Sequence, residues 1–353
     1  MPRAAFLFSL ITLVPVPLLL AAGIWGGVWI WAALLWLAVL PFVLDELAAL
    51  VPVAQEFPAA DRLLAVLAVA HFGLLAVAVR ALGQGGNAAH ETIALFLAFG
   101  LFFGQVSNPA AHELIHRTER RLFALGKWMF ISLLFGHHVS AHRLVHHVHV
   151  ATARDPNTAR SGESFYAFWP RAWWGSFRAG FIAETRRVGR DALRHPYPVY
   201  VAGGLAMPAL AWLIGGWHGV LAYLLLAFHA QSQLLLSDYV QHYGLQRGLD
   251  GAGRAEPVGP EHSWNAPHWF SHHLMLAAPR HSDHHLNPAR PYPALELSPG
   301  GQEVPLLPHG LPLMGAIALF PGRWRRLMDR RAREWRARAP GIAGRRRHEN
   351  APG

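Results

Sequence analysis

From Ala4 to Leu44 the chain carries no charged residue. At about 1.5 Å per residue and about 30 Å of hydrocarbon, that run suits two helical spans joined by a turn, for which Gly26-Gly27 is the natural place. A third apolar run lies between Arg62 and Arg80, and a fourth extends from Thr92 to Ala111. Pro196 to Ser237 is again free of charge, with a turn signalled by Gly215-Gly216 and Trp217-His218-Gly219. The pattern predicts an all-α fold, an integral membrane bundle of six transmembrane helices at about 4–24, 28–44, 63–80, 91–111, 196–214 and 218–238, in a single domain over 1–353. Leu122 to Val139 is apolar but interrupted by Lys127, with only Trp128 to Gly136 before histidines begin. That is short for a span, so an interfacial or re-entrant helix is expected there. Arg3 and the apolar residues after it imitate a signal peptide, but the run continues to Leu44 and favours an uncleaved first span.

Composition narrows the class. Hydrophobic residues make up 53% and charged residues 15%, the mean hydropathy is +0.22 and there are 14 Trp. An ordinary soluble domain, a disordered chain and a collagen-like chain are all excluded. Cysteine is absent, which removes disulfides, Cys-zinc sites, thiolate chemistry and cysteine-ligated iron–sulfur or rubredoxin centres. All cations but Lys127 are arginines, and the net charge of +10 is unevenly spread. Only Arg3, Arg62 and Arg80 precede residue 107, and the rest lie in 107–195 and 239–353. The positive-inside rule then makes 112–195 and 239–353 cytoplasmic, as a histidine-rich cap on a multi-pass protein of a bacterial-type inner (plasma) membrane. The parity of the spans closes on that side only if Leu122 to Val139 does not cross. It also puts the 45–61 loop inside, although that loop is acidic (Asp45, Glu46, Glu56, Asp61). A charge so distributed speaks for sidedness and not for nucleic acid.

Histidine is the surplus, at 23 residues. His112-Glu-Leu-Ile-His116 sets two imidazoles at i and i+4 on one helix face. His142-Arg-Leu-Val-His146-His147 repeats that spacing with a third imidazole adjacent, and His281-Ser-Asp-His284-His285 gives i, i+3 and i+4. His242 follows the last span. One His-x-x-x-His is common on helices and most histidines only complete a hydrogen bond. Three clusters and His242, placed on one side by an independent charge argument, point instead to a shared metal centre. Nine imidazoles exceed what structural or catalytic zinc takes, and fit two metals with room for an exogenous ligand. Imidazole alone suits Zn, Cu, Fe or Ni. The paired Glu-x-x-His motifs of carboxylate-rich di-iron bundles are missing, since Glu113-Leu-Ile-His116 stands alone.

These residues resemble the membrane fatty-acid desaturase and hydroxylase superfamily and, more closely, the membrane alkane hydroxylases (alkane 1-monooxygenases). The resemblance runs over about residues 90 to 335. It is carried by His112-Glu113-Leu114-Ile115-His116-Arg117, by His146-His147-Val148-His149-Val150-Ala151-Thr152 with Asp155-Pro156, by Tyr239 and His242-Tyr243-Gly244-Leu245, by His262-Ser263-Trp264-Asn265, and by Arg280-His281-Ser282-Asp283-His284-His285. It implies metal ligands at His112, His116, His142, His146, His147, His242, His281, His284 and His285, holding two Fe ions with O2 as co-substrate. Glu113, Asp155, Asp238 and Asp283 are candidates for orienting those imidazoles. His137, His138, His149, His262, His268, His272 and His273 are read as supporting or packing residues. The chain departs from the family pattern at Ala141 and Val145, where Glu and Gly are usual, and at Asp238 and Gln241, where Asn and Glu are usual.

The resemblance further implies hydroxylation of the terminal methyl of an alkane or similar apolar chain, entering from membrane lipid, with electrons from rubredoxin and its reductase. The eleven arginines between Arg323 and Arg347 suit an acidic partner or, for Arg345, Arg346 and Arg347, anionic headgroups. Trp25, Trp29, Trp31, Trp36, Phe72, Phe96 and Phe99 are candidate chain-length gates, with belt or packing roles the preferred reading for each. Ligand spacing leaves open a fatty-acyl or lipid desaturase and an alkyl-aromatic methyl hydroxylase of the same superfamily. A divalent-metal transporter is the distant alternative, disfavoured because the spans hold almost no carboxylates.

Overall fold

The computed structural model describes residues 3–47, 51–189, 191–249 and 251–349; of residue 192 and of 339–349 only the backbone is described. Among the described residues the regular structure is helical, with β pairing confined to the isolated bridges Leu249–Ala255 and Asn265–Leu306. Among the described residues five helices are long and apolar enough to cross a membrane: α1 (Arg3–Trp25), α2 (Val28–Leu47), α3 (Ala60–Gln84), α4 (Ala89–Ile115) and α8 (Tyr197–His242). Between α4 and α8 lie α5 (Arg120–Ser132), α6 (His138–Ala141, running through a π turn His142–His146 into His147–His149) and α7 (Phe165–Val188). After α8 come the short α9 (Trp269–Leu274), α10 (His281–Leu286) and α11 (Leu311–Ala318), then α12 (Pro321–Glu349).

The two glycine pairs act as expected. Gly26 and Gly27, both at positive φ, separate α1 from α2. The 46 residues of α8 are not one rod, because Gly215 and Gly216 leave helical geometry and Gly216 adopts φ 59°, ψ −153°, a region essentially closed to other residues. A Cβ on Gly219 would lie 2.8 Å from the Ala211 carbonyl oxygen, an approach no straight helix permits between residues eight apart. The chain therefore turns sharply there, and the same turn presses on α3, where a Cβ on Gly83 would come 2.9 Å from the Gly219 Cα. The piece expected to be interfacial is α5, too short at 13 residues to span, which lays Gly126 against the backbone of α4.

Three acidic residues of the 45–61 stretch tie it to the segments that carry the histidines. Asp45 Oδ1 accepts the N–H groups of Phe270 (2.8 Å) and Ser271 (3.0 Å) at the start of α9. Glu46 lies 3.1 Å from His309 Nδ1, and Asp61 takes the Arg117 Nε–H at 2.7 Å. Asp45, Glu46 and Asp61 are thus on the same face of the bundle as the histidines. On that face α12 buries Trp324, Met328, Ala332 and Trp335 and turns its arginines outward. Trp324 packs on Tyr239 and Tyr243, which flank His242. The side chains of Arg345, Arg346 and Arg347 lie outside the described residues.

Candidate metal centre

The nine histidines singled out in the sequence, eight in three spaced clusters and His242 after the last apolar run, come from four elements and meet in one place. His112 and His116 close α4, His142, His146 and His147 sit on α6, His242 ends α8, and His281, His284 and His285 sit on α10. They form two groups, His112, His116, His142, His147 and His284 in one and His146, His242, His281 and His285 in the other. Within each group, one nitrogen per ring lies within 4.8 Å of all the others. The adjacent pairs His146-His147 and His284-His285 divide between the groups, since neighbours on a helix point about 100° apart. The π turn sets His142 and His147, five residues apart, in the same group.

The ring nitrogens converge more closely than hydrogen bonding can explain. His142 Nε2 lies 2.8, 3.1 and 2.9 Å from Nε2 of His112, His116 and His147. His281 Nε2 lies 3.0 and 3.2 Å from Nε2 of His242 and His285. A neutral imidazole carries one N–H, so a single ring cannot satisfy three such neighbours. A cation at the shared point satisfies every lone pair at once, so the donor set fits metal ions, with imidazole suited to Fe, Zn, Cu and Ni alike. Burial, and after it the neighbouring rings, hold His142, His147, His281, His284 and His285 well below the ordinary imidazole range. They are neutral, with lone pairs available, at ordinary pH.

Of the four carboxylates, Asp155 touches the cluster directly. Its Oδ2 lies 2.9 Å from His146 Nδ1, which leaves the buried His146 Nε2 without a hydrogen-bond partner and open to a ligand. Asp155 is fixed in turn by the Asn157 N–H (3.0 Å) and the Thr158 hydroxyl (2.7 Å). Burial opposes its ionisation, but His146 and those hydrogen bonds outweigh it and hold the carboxyl below its usual range. Asp238 accepts from Asn157 Nδ2 (2.7 Å), extending the network across to α8. Glu113 accepts the Tyr292 N–H (3.2 Å) and pairs with Arg117 (3.3 Å). Asp283 is bonded away from the rings, to Asn287, Arg290 and the Glu296 N–H. Sequence reading missed Asn157 and Thr158, although they stand two and three residues past Asp155. His137, His138, His149, His262, His268, His272 and His273 belong to neither group. His272 and His273 pack on Phe8, while His138 stacks on His142 at 5.1 Å.

A cavity of about 270 Å³ opens beside the five-histidine group. Its inner wall is His112, His138, His142, His281 and His284, with Glu113 and Asp238 beside them. The rest is largely apolar and comes from α2 (Ala38, Phe42), α4, α8 and α11 (Leu311, Ala316, Leu319 beyond its end). None of Trp25, Trp29, Trp31, Trp36, Phe72, Phe96 and Phe99 lines it: Trp25, Trp29, Trp31 and Phe72 are exposed on the outside, Phe99 is core, and Trp36 donates to the Ile11 carbonyl. Phe42 is the aromatic residue that faces the space.

Residues 88–297, which include all nine histidines, match the family described as fatty acid desaturase. Alkane 1-monooxygenase 1 of Alcanivorax borkumensis is 34% identical over 254 residues, 69% of this chain and 61% of that protein. An alkane 1-monooxygenase of Acinetobacter baylyi is 32% identical over 249 residues, 69% of this chain and 60% of that protein. The chain thus spans about three-fifths of the length of these relatives. The hydroxylase component of a xylene/toluene monooxygenase of Pseudomonas putida is 26% identical over 339 residues, 91% of this chain and 88% of that protein. A family match over more than half the chain, centred on the segments that build the histidine groups, leads to one conclusion: the chain belongs to the fatty acid desaturase family.

Proposed function

We propose that this protein is a histidine-rich di-iron monooxygenase that hydroxylates the terminal methyl of alkanes or similar apolar chains with O2. The observation that carries the reading is the junction of the two histidine groups with the mostly apolar cavity. The nine histidines would hold two Fe ions, five at one and four at the other. Bound iron would supply the reductive activation of O2 that an unactivated C–H bond requires.

The chain's own residues do the rest. The cavity walls from α2, α8 and α11 hold an apolar chain with one end at His112, His142, His281 and His284, and exclude water from it. Asp155 keeps the His146 ring oriented with Nε2 inward and raises its basicity as a ligand. Each arm of α8, 197–214 and 217–242, crosses the membrane, which makes six spans and puts the histidine face in the cytoplasm, as the distribution of arginines requires. Electrons then come from a soluble donor of the rubredoxin type, served by its reductase, on the arginine-rich side of α12. Oxidation of an alkyl-aromatic methyl group is the second reading, favoured by the near full-length similarity to the xylene/toluene monooxygenase component.

The test is iron content. The purified full chain should hold about two Fe per molecule, and Ala in place of any of the nine histidines should lower that number while the protein stays in the membrane. Unchanged iron in His242→Ala and His146→Ala would remove the four-histidine group from the account.

A further inference from the structure

The cavity is not apolar throughout. Along α8 its wall carries His229, Gln233, Ser237 and Gln241, four residues apart and so aligned on one face. Gln105, on the π turn Phe103–Ser107 within α4, also lines it. Polar groups within a membrane-spanning segment are costly and mark function. Two of these five serve each other: the Ser237 hydroxyl donates to Gln241 Oε1 (2.8 Å), and Gln241 Nε2 donates to the Ala278 carbonyl (2.9 Å). The other three form a patch farther from the histidines, with Gln233 nine residues, about 14 Å of helix, before His242.

This patch is built into the fold. Gln233 Nε2 donates to the Gly100 carbonyl (2.8 Å) and lies 3.1 Å from His229 Nδ1. A Cβ on Gly100 would come 2.4 Å from His229 Nδ1, and one on Gly104 would come 2.1 Å from Gln233 Cδ. Two glycines one turn apart on α4 therefore make room for these two polar side chains. Gln105 arrives from a π turn, an irregularity that recurs at functional sites. Its Oε1 is buried and has no hydrogen-bond partner. Among the described residues the lining holds no lysine or arginine, so an anionic group there would lack a counter-charge, and its carboxylates, Glu113 and Asp238, are at the histidine end. A hydroxyl both donates and accepts, and so answers Gln105 whichever way its amide is turned.

We propose that Gln105, His229 and Gln233 form a subsite for a neutral hydroxyl, and that the substrate is an apolar chain or ring bearing one. The hydroxyl is held at this patch while a C–H bond at the other end reaches the histidines. The inference deepens the hydroxylase reading and rests on it.

The test uses the full chain, iron-loaded, in lipid nanodiscs, with decane and decanol as probes and binding measured against their mole fraction in the bilayer. The wild type should bind decanol about tenfold or more tighter than decane, since a buried polar site penalises the analogue that leaves it unpaired. In Gln105→Leu/Gln233→Leu the ratio of decanol to decane affinity should fall to about one, with iron content unchanged. Equal binding of both probes by the wild type overturns the subsite, and that comparison needs no variant to fold. With O2, reduced rubredoxin and its reductase then added, decane oxidised without any preference for decanol in binding would sink the subsite and leave the hydroxylase reading standing. A clear preference for decanol with neither probe oxidised would uphold the subsite and sink the hydroxylase reading.

Discussion

His146 shows how much one side chain contributes once its surroundings are specified. The Asp155 carboxylate holds one ring nitrogen at 2.9 Å, and the other is left for a ligand. Asp155→Asn keeps the shape and removes the charge, so metal affinity should fall about 10- to 100-fold, read as iron retained against a graded chelator series. Retention equal to wild type would mean that Asp155 merely caps the 155–158 turn. The sequence put Glu113, Asp155, Asp238 and Asp283 on an equal footing because all four lie in or near the boxes. Only geometry separates them, with Asp155 nine residues from the ring it touches and Asp283 bonded to the 287–296 loop. Eight of the nine histidines were legible as three closely spaced clusters and His242 from its place after the last apolar run, whereas their division into five and four was not. That division depends on a π turn, which leaves no mark in hydrophobic periodicity.

At the scale of elements, glycine and apolar length were the readable signals. Gly26-Gly27 and Gly215-Gly216 turn the chain where the pattern placed them. The helix ends were less legible, since α3 runs from Ala60 to Gln84 and outlasts the apolar stretch between Arg62 and Arg80 at both ends. Helices continue into the headgroup region with polar residues that a hydropathy limit cuts off. Gly216→Ala should cost about 1–3 kcal/mol, because its φ and ψ lie in a region that a Cβ forbids. It should appear as a lower thermal midpoint in detergent, whereas Gly73→Ala, whose Cβ would meet nothing within 4 Å, should leave the midpoint equal or higher. The large residues of α1 to α4 weighed as gates do not line the cavity, in keeping with the belt or packing roles preferred for them; its apolar wall includes Phe42 of α2 and residues of α11. Ala316→Phe should fill part of that cavity and cut turnover of the longest accepted substrates about tenfold relative to the shortest, measured as a product profile over a chain-length series. An unchanged profile would show that α11 does not bound the substrate.

For the whole molecule the central issue is sidedness. Asp45, Glu46 and Asp61 bind residues of the histidine-bearing segments, so these acidic residues, which run against the charge pattern, lie on the face with most arginines. The chain has no cysteine, which permits a direct check with single introduced ones. Leu249→Cys and Val53→Cys, both exposed on the histidine face, should react with a membrane-impermeant maleimide only after the cytoplasmic side is opened. Ala88→Cys, between α3 and α4, should react from outside intact cells. The reverse pattern would invert the topology and move the donor to the other side. On the proposed function, two histidine-bound irons at the end of this cavity insert oxygen into an apolar substrate. The most direct test gives membranes containing the protein reduced rubredoxin, its reductase and isotopically labelled O2, over a panel of alkanes, alkyl-aromatics and hydroxyl-bearing chains, and identifies the products by mass spectrometry. The expected product is an alcohol formed at a methyl group and carrying one oxygen from O2. An alkene with no oxygen inserted would contradict it and make the protein a desaturase.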